Sequence, residues 1–260
     1  WSKQVFPDKD ENDAIAALAA AIFSISRVDC DDPVSAWEAH QETLTERQDW
    51  LNQKNFHSLH YKAPGTDFIL GLADGHEWKG GASTSLNGIS CTPNIPTEEV
   101  FTTPHAERAE GTVRASKPLV HMGTIIDGIE VRFEGGRIVE ARAELGEEVF
   151  LKLIDTDEGA SRLGEAALVP HSSPISESGL LFYNTLYDEN ASCHIALGQC
   201  YSKCFKGDIG NDKDAVAAAG GNSSNIHVDW MIGSAELDID GISEDGERTP
   251  VMRRGEWAFD

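Results

Sequence analysis

The chain has 260 residues, 40% hydrophobic and 25% charged, with 44 acidic against 21 basic residues and a net charge of −23. This is a globular balance with length enough for one substantial core, and its acidity excludes the clustered Lys and Arg that a nucleic-acid partner demands. No apolar run approaches the ~18–20 residues of a bilayer span and no signal-peptide pattern opens the chain. Five cysteines at spacings unlike a zinc knuckle or a disulfide framework point to a reducing cytoplasm.

The first sixty residues read as helical. "DENDAIAALAAAIFSI" is rich in the good helix formers. "DDPVSAWEAHQETLTERQDWLNQK" opens with Asp32 as N-cap and Pro33 at the first helical position. Its Trp37, Leu44 and Leu51 recur every seven residues and give one apolar stripe. From about residue 58, "LHYKAPGTDFILGLADG" and "WKGGASTSLNG" combine short alternating runs with glycine punctuation, the signature of strands and turns. In "GTIIDGIEVRFEGGRIVEARAELG" Ile129, Val131 and Phe133 alternate up to a Gly135–Gly136 turn, a hairpin.

Further on, "EEVFLKLIDTDEGASRLGE" returns to helix and "GLLFYNTLY" reads as a strand. "DENASCHIALGQCYSK" reads as a helix that would put His194 and Tyr201, two turns apart, on one face. In "SNIHVDWMIGS" alternation sends His227 and Asp229 to one face of a strand, with Ile226, Val228 and Trp230 on the other. "AELDIDGISEDGERTPVMRRGEW" closes in short strands. The predicted fold class is α/β in the mixed α+β sense: a helical start followed by a mixed-sheet catalytic domain with interspersed helices. No internal repeat or long linker divides residues 1–260.

A buried imidazole and carboxylate need a partner. Polar residues that interrupt apolar or turn-like segments supply the candidates: Glu98 and Glu99 between two prolines, Glu165 before the apolar Ala166–Val169, and Asp188, Glu189, His194 and Tyr201. Each has a plainer reading alone: a solvated acidic pair, a helix-end residue, a helix cap, a polar pair at a sheet edge. Together, mixed carboxylate and imidazole groups suit zinc, cobalt or manganese. Six donors exceed the four that one zinc takes, and fit two ions sharing a carboxylate about 3.5–4 Å apart, as in hydrolases.

At these residues the chain resembles the thermophilic-type metalloaminopeptidase family. "NIPTEEVFTTP", "GEAALVP", "SPISESGLLFYNTLYDENASCHIALG" and "GNSSNIHVDWMIGSAELDIDGI" look like its signature blocks, and "DDPVSAW", "LHYKAPGTDF" and "WKGG" fit upstream. The resemblance implies two divalent metal ions, zinc, cobalt or magnesium, on Glu99, Glu165, Glu189, His194, His227 and Asp229, with Glu165 bridging. It implies that Tyr201 assists catalysis, and it leaves Glu98 as a free carboxylate to relay a proton. It further implies a cytoplasmic homodimer that hydrolyses N-terminal residues from peptides by metal-activated water. Members are longer, so residues 1–260 correspond to a metallopeptidase catalytic domain that is N-terminally incomplete relative to the family. The competing readings are an inactive or truncated metal-binding relative acting as a dimerisation or binding module, and a two-metal phosphoesterase. No basic cluster near the candidate ligands favours the latter.

Overall fold

The computed structural model describes residues 1–207 and 209–259. After the short helix Ser2–Val5, two longer helices follow as expected. Glu11–Ile25 is capped by Asp10, whose side chain accepts from the Asp13 amide. Pro33–Lys54 is capped by Asp32, which accepts from the Ser35 amide, and ends at Asn55 in the left-handed conformation. Leu44 and Leu51 of the seven-residue stripe are fully buried, and Trp37 is half-buried, its indole donating to the Ser26 carbonyl.

Two sheets form the body. The larger has eight strands, running in space from Arg137–Arg142 through Glu130–Glu134, Pro104–Arg114, Thr66–Leu72, Ser58–Ala63, Asp238–Ile242 and Arg248–Arg253 to Glu256–Trp257. The Ile129–Phe133 alternation is as read, with the hairpin closing through Gly135 and Gly136, both at positive φ. The smaller sheet has five strands in the order His227–Met231, His194–Gly198, Leu163–Leu168, Val100–Thr102 and Lys79–Gly80. Every strand pair of both sheets is antiparallel among the described residues. The fold class is therefore mixed in combining helices with sheets and not in strand direction. One apolar cluster joins the sheets, with Leu59, Phe68 and Ile239 of the larger beside Ala166, Ile195, Leu197 and Trp230 of the smaller. Among the described residues, no helix is long and apolar enough to cross a membrane.

Three expectations fail. "DENASCHIALGQCYSK" contains the strand His194–Gly198 and short 3-10 turns, not a helix. Every residue of that strand is buried, Ile195 and Leu197 in the apolar core on one face and His194 and Ala196 under the ligand cluster on the other; the period-two signal vanishes and the good helix formers Ala and Leu mislead. "GLLFYNTLY" is not a strand: Tyr183 has φ 55 and Asn184 caps the short helix Thr185–Asp188. The helix at "EEVFLKLIDTDEGASRLGE" stops at Ile154, and Leu163 already opens a strand.

Candidate metal centre

Register explains how dispersed residues meet. Glu165 pairs with Ala196, and Ala196 pairs with Asp229 on the next strand. Directly opposed residues share a face, so both carboxylates rise on either side of a methyl group. Along the central strand His194 and Gly198 share that face, and Gly198 lies opposite His227. Gly198 is at φ 99, and a Cβ there would come 2.2 Å from the Ile226 carbonyl oxygen, so the approach of the His227 strand requires glycine. The face therefore reads imidazole, methyl, hydrogen along its centre, which leaves room above the sheet for flanking acids.

The cluster is tight. His227 Nε2 lies 3.0 Å from Glu165 Oε2 and 3.5 Å from Asp229 Oδ1, and His194 Nε2 lies 3.1 Å from Glu99 Oε2. Ligand atoms of Glu99, Glu165 and His194 lie within 4.8 Å of one another, as do those of Glu165, His227 and Asp229. Glu189, on a 3-10 turn, lines the same cavity of about 470 Å³ with Glu99, Glu165, His194, Asp229 and Tyr201. Tyr201 packs against Phe101 and His227, ring centroids 5.5 and 4.7 Å away.

Burial opposes charge throughout the cluster. It pushes the Glu165 carboxyl up to about 8, with Asp229 and Glu99 adding to the rise, and the Glu189 carboxyl up to about 9. Burial also opposes the charged imidazoles, but the surrounding carboxylates outweigh it and carry His194 up to about 10 and His227 up to about 11. Asp229 is held below the usual range by His227 and His194 despite its burial. Burial and the nearby acids raise the Tyr201 hydroxyl, which stays protonated at neutral pH.

The donor set fits divalent cations by two observations. Both imidazoles spend Nδ1 on a backbone carbonyl, His194 donating to Ser192 O at 3.1 Å and His227 to Gln199 O at 2.7 Å. That fixes Nε2 as the nitrogen facing the carboxylates, the orientation metal-binding histidines use. In addition, Asp229 Oδ1 is buried with no hydrogen-bond partner among the described residues, His227 Nε2 standing 3.5 Å off, and such a buried acceptor suits a cation.

Glu98 is placed differently from the expectation. Both its oxygens are taken by the guanidinium of Arg27, with Nη2 to Oε2 at 2.8 Å, and the residue is 3% exposed. It does not line the cavity, so it is not the free carboxylate of the sequence reading. Beside it, His40 Nε2 donates to the Thr97 carbonyl at 2.7 Å, and the Glu98 amide donates to Asn190 Oδ1 at 2.7 Å. Arg27, His40 and Asn190 thus fix the segment carrying Glu99, a supporting set absent from the sequence reading. Asp188 also differs from the expected helix cap, accepting from the Phe182 and Asn184 amides.

Sheet, cavity and donor set define an α/β protein with a candidate carboxylate–imidazole metal site. The family model for the thermophilic metalloprotease (M29) matches residues 1–257. The chain is 55% identical over 257 residues to aminopeptidase T of Thermus thermophilus, covering 99% of this chain and 62% of that one. It is 50% identical to aminopeptidase 2 of Geobacillus stearothermophilus, covering 100% of this chain and 63% of that one. The solved structure of wild-type AmpT from Thermus thermophilus superposes with a TM-score of 0.93 at 54% identity, covering 100% of this chain and 62% of that chain. A 2,5-dihydroxypyridine dioxygenase from Pseudomonas putida KT2440 has a TM-score of 0.54 at 14% identity over 97% of this chain and 77% of that one, a likeness of fold alone. The chain belongs to the thermophilic metalloprotease (M29) family, and spans less than two thirds of the length of the aminopeptidases it matches.

Proposed function

We propose that this chain carries the centre of a dinuclear-metal aminopeptidase that removes N-terminal residues from peptides. The observation that carries this reading is the sharing of Glu165 between two ligand groups, Glu99–Glu165–His194 and Glu165–His227–Asp229. One carboxylate between two sets of donors is the arrangement a bridged pair of ions needs. Glu189 supplies a sixth donor from the same cavity. The relatives named as aminopeptidases support the reaction class.

When bound, zinc, cobalt or magnesium ions supply Lewis-acid polarisation of the scissile carbonyl and a water of lowered pKa. The chain's own residues do the rest. Tyr201, protonated at neutral pH and set in the cavity wall, donates a hydrogen bond to the oxyanion that develops on the carbonyl. Glu98, clamped by Arg27, positions Glu99 and relays no proton.

Residues 1–260 act in this reading as one catalytic unit, supported by the core shared between the two sheets. Its setting is a cytoplasmic homodimer; the free cysteines Cys30, Cys91, Cys193, Cys200 and Cys204 agree with a reducing compartment, and sizing in solution tests the dimer. The test of function is turnover of leucine p-nitroanilide with added cobalt. Release of nitroaniline that disappears on Glu165→Gln is expected. Turnover of p-nitrophenyl phosphate instead, or of neither substrate by metal-loaded protein, would overturn the assignment.

A further inference from the structure

The cavity has an electrical direction. Across the five-stranded sheet, the imidazoles and carboxylates stand on His227–Met231, His194–Gly198 and Leu163–Leu168, with Glu99 entering at the fourth strand. On the edge strand Lys79 pairs in register with Phe101, and both line the cavity. Lys203 lines it too, its Nζ 4.7 Å from the Phe101 ring centroid and 5.3 Å from that of Tyr201. A backbone bond from the Glu77 amide to the Cys204 carbonyl at 2.8 Å holds the Lys203 turn against the segment leading into that edge strand.

The two lysines are not equivalent. Lys79 Nζ is 2.7 Å from Glu77 Oε2. Lys203 has no carboxylate within 4.0 Å among the described residues, in a chain with 44 acids. Its ammonium rests on two aromatic faces instead, a seat that orients a cation without neutralising it. One end of the cavity thus holds the ligand cluster, and the other presents an ammonium with no carboxylate partner among the described residues.

We propose that Lys203 binds the C-terminal carboxylate of short peptides, so that the preferred substrates are free-acid peptides of about three residues lying with their N-terminus at the ligand cluster. The Lys203 ammonium is 5.3 Å from the Tyr201 ring centroid, which is itself 4.7 Å from that of His227, so it stands no more than about 10 Å from the ligand cluster, a distance about three extended residues cover. A charge-assisted bond to carboxylate is stronger than a bond to a neutral amide. This inference rests on the aminopeptidase reading and adds to it a substrate class and the residue that selects it.

The test compares leucyl-glycyl-glycine, its C-terminal amide and leucine p-nitroanilide as substrates of the cobalt-loaded protein, in wild type, Lys203→Gln and Lys203→Arg. The wild type is expected to favour the free acid over the amide by about tenfold in kcat/KM, carried by KM. Lys203→Gln removes that preference and leaves amide and anilide turnover within about twofold of wild type, and Lys203→Arg restores the preference. Equal handling of acid and amide by a wild type that still cleaves the anilide overturns the inference and leaves the aminopeptidase reading standing. A uniform fall of all three substrates in Lys203→Gln also overturns it, by showing that the lysine only props Tyr201. Failure to cleave any of the three overturns both readings.

Discussion

Glu165 and Asp229 lie opposite the same residue, Ala196, one on each flanking strand. Their carboxylates converge because the side chain between them is a methyl group, and the same position holds them near His227. Replacing Ala196 with Leu wedges a larger side chain into fully buried space. Overpacking of this kind costs about 1–3 kcal/mol. Thermal unfolding should show that loss with the sheet retained, while metal content, read by mass spectrometry, should fall well below that of the wild type.

Arg27 and Glu98 form the clamp behind Glu99. Arg27→Met leaves the Glu98 carboxylate, 3% exposed, without its bidentate partner. Removing one member of a buried ion pair costs about 3–5 kcal/mol. Urea unfolding should show a loss in that range, and the double variant Arg27→Met/Glu98→Gln should recover part of it. Equal losses in the single and double variants would show that packing around Arg27, not the stranded charge, matters.

His76, which lies outside the ligand set, predicts an acid sensitivity of its own. Its ring is buried, donates Nδ1–H to the Ala73 carbonyl at 3.0 Å, and is held by burial down at about 4. The folded state therefore binds this proton more weakly than the unfolded chain, whose histidine titrates near 6.5. Its contribution is fully present above about pH 6.5 and is lost progressively as the pH falls toward 4, up to about 3 kcal/mol. Unfolding free energies at pH 7 and pH 5 should differ less in His76→Gln than in the wild type.

Metal binding should release protons. Without metal, burial and neighbouring acids raise the Glu165 and Glu189 carboxyls to about 8 and 9, while carboxylates outweigh burial to raise His194 and His227 to about 10 and 11, so the cluster as a whole holds protons at neutral pH. Cations bind the deprotonated forms, so affinity should rise with pH from 6 to 8. Zinc titration by calorimetry at pH 7, in buffers of different ionisation enthalpy, should report release of about two or more protons. Heats independent of the buffer would contradict this state of the cluster.

Much of this was legible in the residues, and what was not has physical causes. The strand carrying His227 and Asp229 alternates cleanly, and the Asp32–Pro33 helix start is stated by its own capping chemistry. The strand carrying His194 is invisible to periodicity because both of its faces are buried, one in the apolar core and one beneath the ligand cluster. Its neighbour on the Glu165 side, Leu163–Leu168, is likewise buried along its whole length. Glu98 and Glu99 are adjacent and identical in type, and only the third dimension shows that one meets Arg27 and the other His194. The clamp of Arg27, His40 and Asn190 joins residues 71 and 92 positions from Glu98 in two of its bonds, beyond any local signal. The Nδ1 bonds of the two histidines go to backbone carbonyls, which sequence patterns do not record.

The sharing of Glu165 is tested most directly by metal stoichiometry on purified protein saturated with zinc or cobalt and freed of excess. Two ions per chain in the wild type, falling to one or fewer in Glu165→Gln with the fold intact, is the predicted result. One ion per chain in the wild type, or two retained after Glu165→Gln, would contradict a bridged pair at this centre.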